Sequence, residues 1–292
     1  MANKNLIFVH GMGEGNHDEA YENLYKNIEA SYDSTQNKIK PFKNLYSKRF
    51  IEWSKGTNLL QKVMFDKAFV QNKHYSDKNV KYFPEPFGKW LSEGIEVRDR
   101  LKSFIHFYFG DAVAYTTKKD NKIRSKVIEE LEPFVNDQFS IIAHSLGSVI
   151  VSDILLHTKF WVNNPSELSQ DDFDFYKTKL NIDFNTFAHN VQQNLQHFFT
   201  IGSNISLFLQ QDLLTFGAVP AIDAEHPILN HQLWVNFFDV NDFLAYPVKP
   251  FFDNNNTHKN IQDVPVSCGN TFSSHGGYWE NQYTAEIISR YL

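Results

Sequence analysis

Cysteine is almost absent from this sequence of 292 residues, in which Cys268 stands alone. A single cysteine forms no internal disulfide, so nothing in the chain requires an oxidising compartment. Long apolar runs are absent too. No stretch reaches the roughly 18 apolar residues of a membrane-spanning helix, and the run in MANKNLIFVHG is too short for a signal peptide. We therefore expect a cytoplasmic protein, and we leave peripheral contact with a membrane open.

The chain also lacks an excess of positive charge. It has 28 Lys and Arg against 34 Asp and Glu, which gives a net charge of −6. A nucleic-acid-binding domain presents a basic face to the phosphates, so we expect no nucleic-acid partner. The HExxH motif and paired Cys/His spacings are missing as well, and the sequence therefore predicts no metal site and no cofactor.

Apolar residues are plentiful, at 42% of the chain, and aromatic residues are in excess. Short apolar runs typical of buried strands alternate with helical patterns, at 5–10, 44–53, 139–144, 197–203, 233–239 and 264–269. This alternation predicts one α/β domain over 1–292, with a mostly parallel central sheet and helices on both faces. Three segments interrupt the alternation and are predicted to form a cap over the site: 56–105, 158–195 and 204–231.

The stretch IIAHSLGSVIVSDIL, at 141–155, places Ser145 between a strand pattern and a helix pattern. A serine hydroxyl becomes a nucleophile when a base takes its proton and a tight turn holds it clear of its neighbours. Such a turn needs small residues two positions before and two after the serine, and Ala143 and Gly147 stand there. Ser145 is therefore the predicted nucleophile, and His144 is expected to shape the turn.

Two backbone N–H groups are predicted to bind an oxyanion at this serine. One belongs to Leu146, at the positive N-terminal end of the following helix. The other belongs to Met12, in the Gly-rich loop VHGMG, which His10 and Gly11 would support. A dinucleotide site is the alternative for this loop, but Asn16 replaces the third glycine of that motif.

The partners of a serine nucleophile on such a turn follow in the order acid, then histidine. The strand pattern in WVNFFDVNDFLAYPV leads to two acids, Asp239 and Asp242. Asp242 is preferred because Asp239 still lies within the apolar strand pattern, and Asp239 is kept as the alternative acid. Of the two later histidines, His258 lies in a polar surface patch, so His275 in the loop SSHGGYW is the predicted base.

The segments VHGMG, AHSLGSVIVSDIL, WVNFFDVNDFLAYPV and HGGYWENQYTAEII follow one another in this order. Together they resemble the α/β-hydrolase superfamily, and they are most similar to the DDHD-domain intracellular phospholipases. The elbow SLGSVI at 145–150 and the segment HGGYW carry most of the resemblance. It implies the α/β-hydrolase fold, with Ser145 as nucleophile, Asp242 as acid and His275 as base.

These observations predict a serine hydrolase that cleaves carboxylic esters through an acyl-enzyme. The lipase, esterase and phospholipase types are all compatible with the motifs, so the expected partner is a small-molecule or lipid ester. The alternative is a catalytically silent α/β-hydrolase fold that acts as a binding module.

Overall fold

The structure is a computed structural model that describes residues 4–11, 17–35, 40–53, 112, 115–116, 122–209, 232–252, 260–270 and 273–292. The chain divides into two compact units. The fold below belongs to the unit formed by Met1–Gly11, Asn16–Glu52 and Arg124–Leu292. Met12, His258, the insertion 56–105 and most of 204–231 lie outside the described residues. The single-domain organisation and the cap therefore stay predictions.

Strands and helices alternate along the described chain. The strands are β1 (Lys4–Val9), β2 (Tyr46–Ile51), β3 (Phe139–His144), β4 (Leu195–Ile201), β5 (Leu233–Asp239) and β6 (Ile261–Val266). The helices are α1 (His17–Ser34), α2 (Lys122–Leu131), α3 (Leu146–Asn163), α4 (Gln170–Lys179), α5 (Phe184–Asn194), α6 (Lys249–Phe252), α7 (Ser274–Gly277) and α8 (Gln282–Tyr291). Short 3-10 turns occupy Phe42–Asn44, Glu132–Phe134, Pro165–Glu167 and Tyr278–Glu280. None of the described helices is long and apolar enough to cross a membrane.

The six strands form one sheet in the order β2-β1-β3-β4-β5-β6, and every pair of neighbours is parallel. The chain leaves β1 toward one edge of the sheet and leaves β3 toward the other. Because parallel crossovers are right-handed, α1 and α3 lie on opposite faces. The parallel sheet with helices on both faces confirms the predicted fold class. The order reverses between β1 and β3, and ligands of open α/β sheets bind outside the carboxyl ends of the strands at such a point.

One face of the sheet packs against α1 and α8, which also contact each other. Leu6 and Phe8 of β1 meet Tyr21 of α1 there, and the Tyr21 ring lies 5.8 Å from Phe8 and 5.0 Å from Trp279. The other face packs against α3, which in turn contacts α5. Since the central strands are covered on both sides, they read as continuous apolar runs in the sequence.

The predicted strands are all present, with shifted ends. The largest shift is in β6, which was expected at 264–269 and runs from Ile261 to Val266. It is an edge strand, and its first half contains the polar Gln262 and Asp263, so the apolar pattern marks only its second half. Pro265 fits here because an edge strand has one side that makes no ladder hydrogen bonds.

Candidate active site

Ser145 lies at the sharp turn between β3 and α3, at the carboxyl edge of the sheet. Its backbone has φ 51° and ψ −128°, and among the described residues it is the non-glycine residue with a positive φ. Side chains rarely adopt this conformation, and it is typical of functional turns. The Ser145 N–H donates to the carbonyl of Ile201 at 3.1 Å, while its own carbonyl accepts the N–H of Ser148 at 2.9 Å. Backbone bonds on both sides therefore hold the strained turn.

The turn fits because its neighbours are small. A Cβ on Gly147 would lie 2.2 Å from the carbonyl oxygen of His10 and 2.8 Å from that of Val9, so α3 passes directly against the end of β1. A Cβ on Gly11 would lie 2.5 Å from the Cβ of Ser145. Ala143 is fully buried in β3. Gly11, predicted to support the oxyanion loop, and Gly147, predicted to support the turn, thus both lie where an added side chain would clash.

The structure brings Ser145, His275 and Asp242 into one chain of hydrogen bonds. The Ser145 hydroxyl is 2.9 Å from Nε2 of His275, and Nδ1 of His275 is 2.8 Å from Oδ2 of Asp242. These residues follow the ends of β3, β6 and β5, three strands whose carboxyl ends share one edge. The order Ser, Asp, His on a parallel sheet with a strand-to-helix serine turn is that of the α/β-hydrolase fold.

Asp242 is held as a carboxylate. Its side chain is fully buried, and burial on its own raises the pKa of a carboxyl group. Hydrogen bonds from His275, the Leu244 N–H and the Tyr278 hydroxyl outweigh burial and lower the pKa of Asp242 below its usual value. An ionised acid beside Nδ1 favours the histidine tautomer with its hydrogen on Nδ1, and in that tautomer Nε2 can accept a proton from Ser145.

Asp239, the alternative acid, faces a different set of partners. Its Oδ1 accepts the N–H of Asn241 at 2.8 Å, and its Oδ2 accepts the N–H of Cys268 at 2.6 Å. The carboxylate thus joins the end of β5 to the segment after β6. Burial, followed by the charges of Asp239 and Asp242, raises the pKa of the Cys268 thiol to about 12, so this thiol stays protonated at neutral pH.

His144 and His10, which the sequence predicts as supporting residues, both make hydrogen bonds beside the serine turn. The Nε2–H of His144 donates to the backbone carbonyl of His275 at 2.7 Å, and its ring packs 5.2 Å from that of Trp279. This contact ties the serine turn to the segment that carries His275. His10 is fully buried at the end of β1, where Nδ1 bonds to the carbonyl of Gly11.

Leu146 is the first residue of α3, directly after the serine. The first N–H groups of a helix have no partner within the helix, and they lie at the positive end of its dipole. The Leu146 N–H is therefore placed to donate to an oxyanion formed at Ser145. The second predicted donor, Met12, lies outside the described residues. No cluster of three metal-ligating side chains occurs in the described ranges.

No family model matches the chain, and no curated protein matches its sequence. Among solved structures, the chain is similar to a dienelactone hydrolase from Anabaena variabilis, with 9% identity, a TM-score of 0.39, and coverage of 99% of this chain and 85% of that one. It is also similar to the esterase domain of a Rhodothermus marinus protein, with 9% identity, a TM-score of 0.38, and coverage of 98% and 85%. Similarity this distant says nothing about the reaction, which has to be inferred from the side chains of the site.

The loop that follows β5 and carries Asp242 is held by two polar side chains that were not among the predicted site residues. The amide of Asn236 in β5 donates to the carbonyl of Tyr246 at 3.0 Å and to Oδ1 of Asp263 at 2.8 Å. Asp263 in β6 also accepts the N–H groups of Val248 and Lys249, each at 2.9 Å. The available signal was Asn236 inside the apolar pattern of β5, because a buried polar side chain needs a partner.

Proposed function

We propose that this chain is a serine hydrolase that cleaves carboxylic esters. The proposal rests on one observation: the continuous chain of hydrogen bonds from the Ser145 hydroxyl through His275 to Asp242, at 2.9 and 2.8 Å. These distances lie within the range that proton transfer from a nucleophile to its base requires. The serine also projects from a strained turn at the edge where α/β sheets bind their ligands.

The proposed reaction has two halves. The Ser145 oxygen attacks the ester carbonyl carbon as its proton passes to Nε2 of His275, and the same proton then goes to the departing alcohol. This leaves an acyl group on Ser145. A water molecule, deprotonated by His275, attacks the acyl carbon, and the proton returns to the serine as the carboxylic acid leaves. Asp242 stabilises the imidazolium in both halves and remains ionised throughout.

Negative charge on the carbonyl oxygen is stabilised in this proposal by the Leu146 N–H and by the Met12 N–H. The α3 helix supports the first donor, because eighteen residues of helix direct their positive end at the serine. Removing one such donor from a serine hydrolase costs roughly a hundredfold to a thousandfold in kcat.

A second serine and histidine pair in the same sheet shows why the whole arrangement matters. The Ser140 hydroxyl in β3 is hydrogen-bonded to Nδ1 of His197 in β4 at 3.1 Å. No carboxylate bonds to His197 among the described residues, and Ser140 lies inside a strand rather than at a turn. A serine bonded to a histidine is thus not sufficient for the proposal, which requires the strained turn and the buried acid as well.

We further propose a substrate of the lipase, esterase or phospholipase type. The resemblance of the motifs to DDHD-domain phospholipases supports this, and so does the loop that carries Asp242. Val240 is 80% exposed there and Phe243 is 47% exposed, which places apolar surface within two residues of the acid. Such side chains suit contact with an acyl chain or with a lipid surface. A peripheral membrane contact and a cytoplasmic location remain part of this proposal.

The test is intact mass after incubation with a fluorophosphonate probe. The wild type should gain one adduct, and Ser145→Ala should gain none. Ser140→Ala is the matched control, because it also removes a buried hydroxyl that bonds to a histidine, and it should be labelled like the wild type. A folded wild type that gains no adduct and hydrolyses no ester would favour the silent binding module.

A further inference from the structure

Tyr278 joins the two acids at the end of β5. Its hydroxyl oxygen accepts the backbone N–H of Asp239 at 2.8 Å, and the same hydroxyl donates to Oδ2 of Asp242 at 3.0 Å. The side chain is fully buried. Oδ2 of Asp242 is also the atom that accepts Nδ1–H of His275. The phenol and the imidazole therefore hold one carboxylate oxygen between them.

The direction of the phenol proton follows from these contacts. A phenol has one hydrogen to donate, and the N–H of Asp239 occupies an acceptor position on its oxygen. The hydrogen is left to point at Asp242. Burial, followed by the charge of Asp242, raises the pKa of Tyr278 far above its usual value, so the phenol stays protonated and remains a donor.

The local backbone explains why the phenol and the imidazole reach the same oxygen. His275 belongs to α7 and Tyr278 follows in the next 3-10 turn, three residues later, so both side chains lie on one side of the segment. The Tyr278 ring fits against Gly202, where a Cβ would lie 2.8 Å from Cε2 of the ring. The Tyr278 ring thus occupies the space that a side chain would fill at Gly202, directly after β4.

We propose that Tyr278 is a positioning residue of this site, which orients the Asp242 carboxylate toward His275. The inference rests on the proposed function. Oδ1 of Asp242 is held by the Leu244 N–H, and Tyr278 fixes Oδ2, so the carboxylate cannot rotate away from the imidazole. Without the phenol, Oδ2 keeps His275 as its partner but loses the donor that fixes its position.

The test compares three proteins: the wild type, Tyr278→Phe, and Tyr176→Phe as matched control. Tyr176 is also fully buried and bonds to a histidine, with 3.1 Å from its hydroxyl to Nδ1 of His157, but it belongs to α4. Hydrolysis of a chromogenic ester is followed across pH. Tyr278→Phe should lower kcat by about ten- to a hundredfold, the effect of losing a hydrogen bond to a charged group, and KM should stay within about twofold.

The pH profile of kcat/KM distinguishes a positioning role of Tyr278 from a general effect of the substitution on folding. In the described part of the chain, the titratable groups that face Asp242 are His275, Tyr278 and the Cys268 thiol. The acid limb of kcat/KM reports protonation of the coupled His275–Asp242 pair. Removing the Tyr278 donor leaves more of the carboxylate charge to hold a proton on this pair, so the limb should move to higher pH in Tyr278→Phe. Tyr176→Phe should leave the acid limb in place. Equal loss of kcat in both variants, with unshifted profiles, would overturn the inference.

A second variant keeps the fold and strengthens the donor. Site-specific replacement of Tyr278 by 3-fluorotyrosine retains the ring and the hydroxyl but makes the phenol more acidic. The acid limb should then move to lower pH, and an unmoved limb contradicts the inference. A wild type that neither reacts with a fluorophosphonate nor hydrolyses esters overturns the proposed function instead, so the two failures are distinguishable.

Discussion

Gly147→Ala is the substitution that tests the packing of the serine turn most directly. The added Cβ would lie 2.2 Å from the carbonyl oxygen of His10 and 2.8 Å from that of Val9. Both atoms belong to the backbone at the end of β1, which is paired on both sides in the sheet. Neither can move as the end of a flexible side chain can, so α3 must shift away from β1 and take the Ser145 turn with it.

Overpacking of this kind typically costs about 1–3 kcal/mol, and a rigid backbone contact belongs at the upper end, so we expect a loss of about 3 kcal/mol. At about 2–4 °C per kcal/mol for a large domain, the melting temperature should fall by roughly 6–12 °C. Thermal denaturation by circular dichroism measures this fall. The rate of fluorophosphonate labelling at Ser145 should decrease as well, because the turn is displaced.

Gly276→Ala is the matched control for stability, since no atom of the described chain lies within 4 Å of a Cβ at that position. It should leave the melting temperature unchanged or slightly raised, because alanine restricts the unfolded chain. The steric reasoning is refuted if Gly147→Ala melts with the wild type and labels at the wild-type rate.

Three further predictions concern charge and titration. Asp242→Asn should fold but lose on the order of 10⁴-fold in kcat, because the imidazole loses its tautomer and its charge partner, and a loss below tenfold contradicts that role. Burial and the charge of Lys4 lower the pKa of His197 to about 4. The free energy of unfolding should therefore fall as the pH drops from about 6.5 to about 4, because the unfolded state takes up the proton first. Chemical denaturation of His197→Gln should show a weaker dependence on pH. Cys268 should resist alkylation by iodoacetamide at pH 8 until the protein is unfolded, and rapid reaction of the native protein counts against a protonated, half-buried thiol.

The site residues were predictable where the signal was local. The strand pattern changes to a helix pattern at Ser145, and small residues lie within two positions of it. The turn can therefore be predicted from a short stretch of sequence. The preference for Asp242 over Asp239 came from the end of an apolar pattern. The structure places Asp242 against His275, and it places Asp239 on the backbone of Asn241 and Cys268.

The remaining features depend on pairings that no local pattern contains. Asn236 and Asp263 are 27 residues apart in the sequence and meet across β5 and β6. The proposed role of Tyr278 likewise depends on Asp242, which is 36 residues away. Segment 158–195 reads as mixed and polar, yet it contains α4 and α5. In α5 the buried Phe184, Phe187 and Val191 follow helical spacing, which is a local signal. In α4 only Phe175 and Tyr176 are buried among its described side chains, and the Tyr176 ring stacks on Phe184 at 4.3 Å.

The order of the strands has a kinetic consequence. Two contacts between distant parts of the chain must form. β1 pairs with β3, where Val9 lies opposite Ala143, and Ser145 bonds to His275, which is 130 residues further along the chain. Closing such large loops is slow, because their entropy is lost before the contacts can form. Helices on the sheet can form early from local contacts, and we therefore expect the reactive centre to assemble after them. In a refolding experiment, labelling at Ser145 should therefore recover after the helical signal has returned.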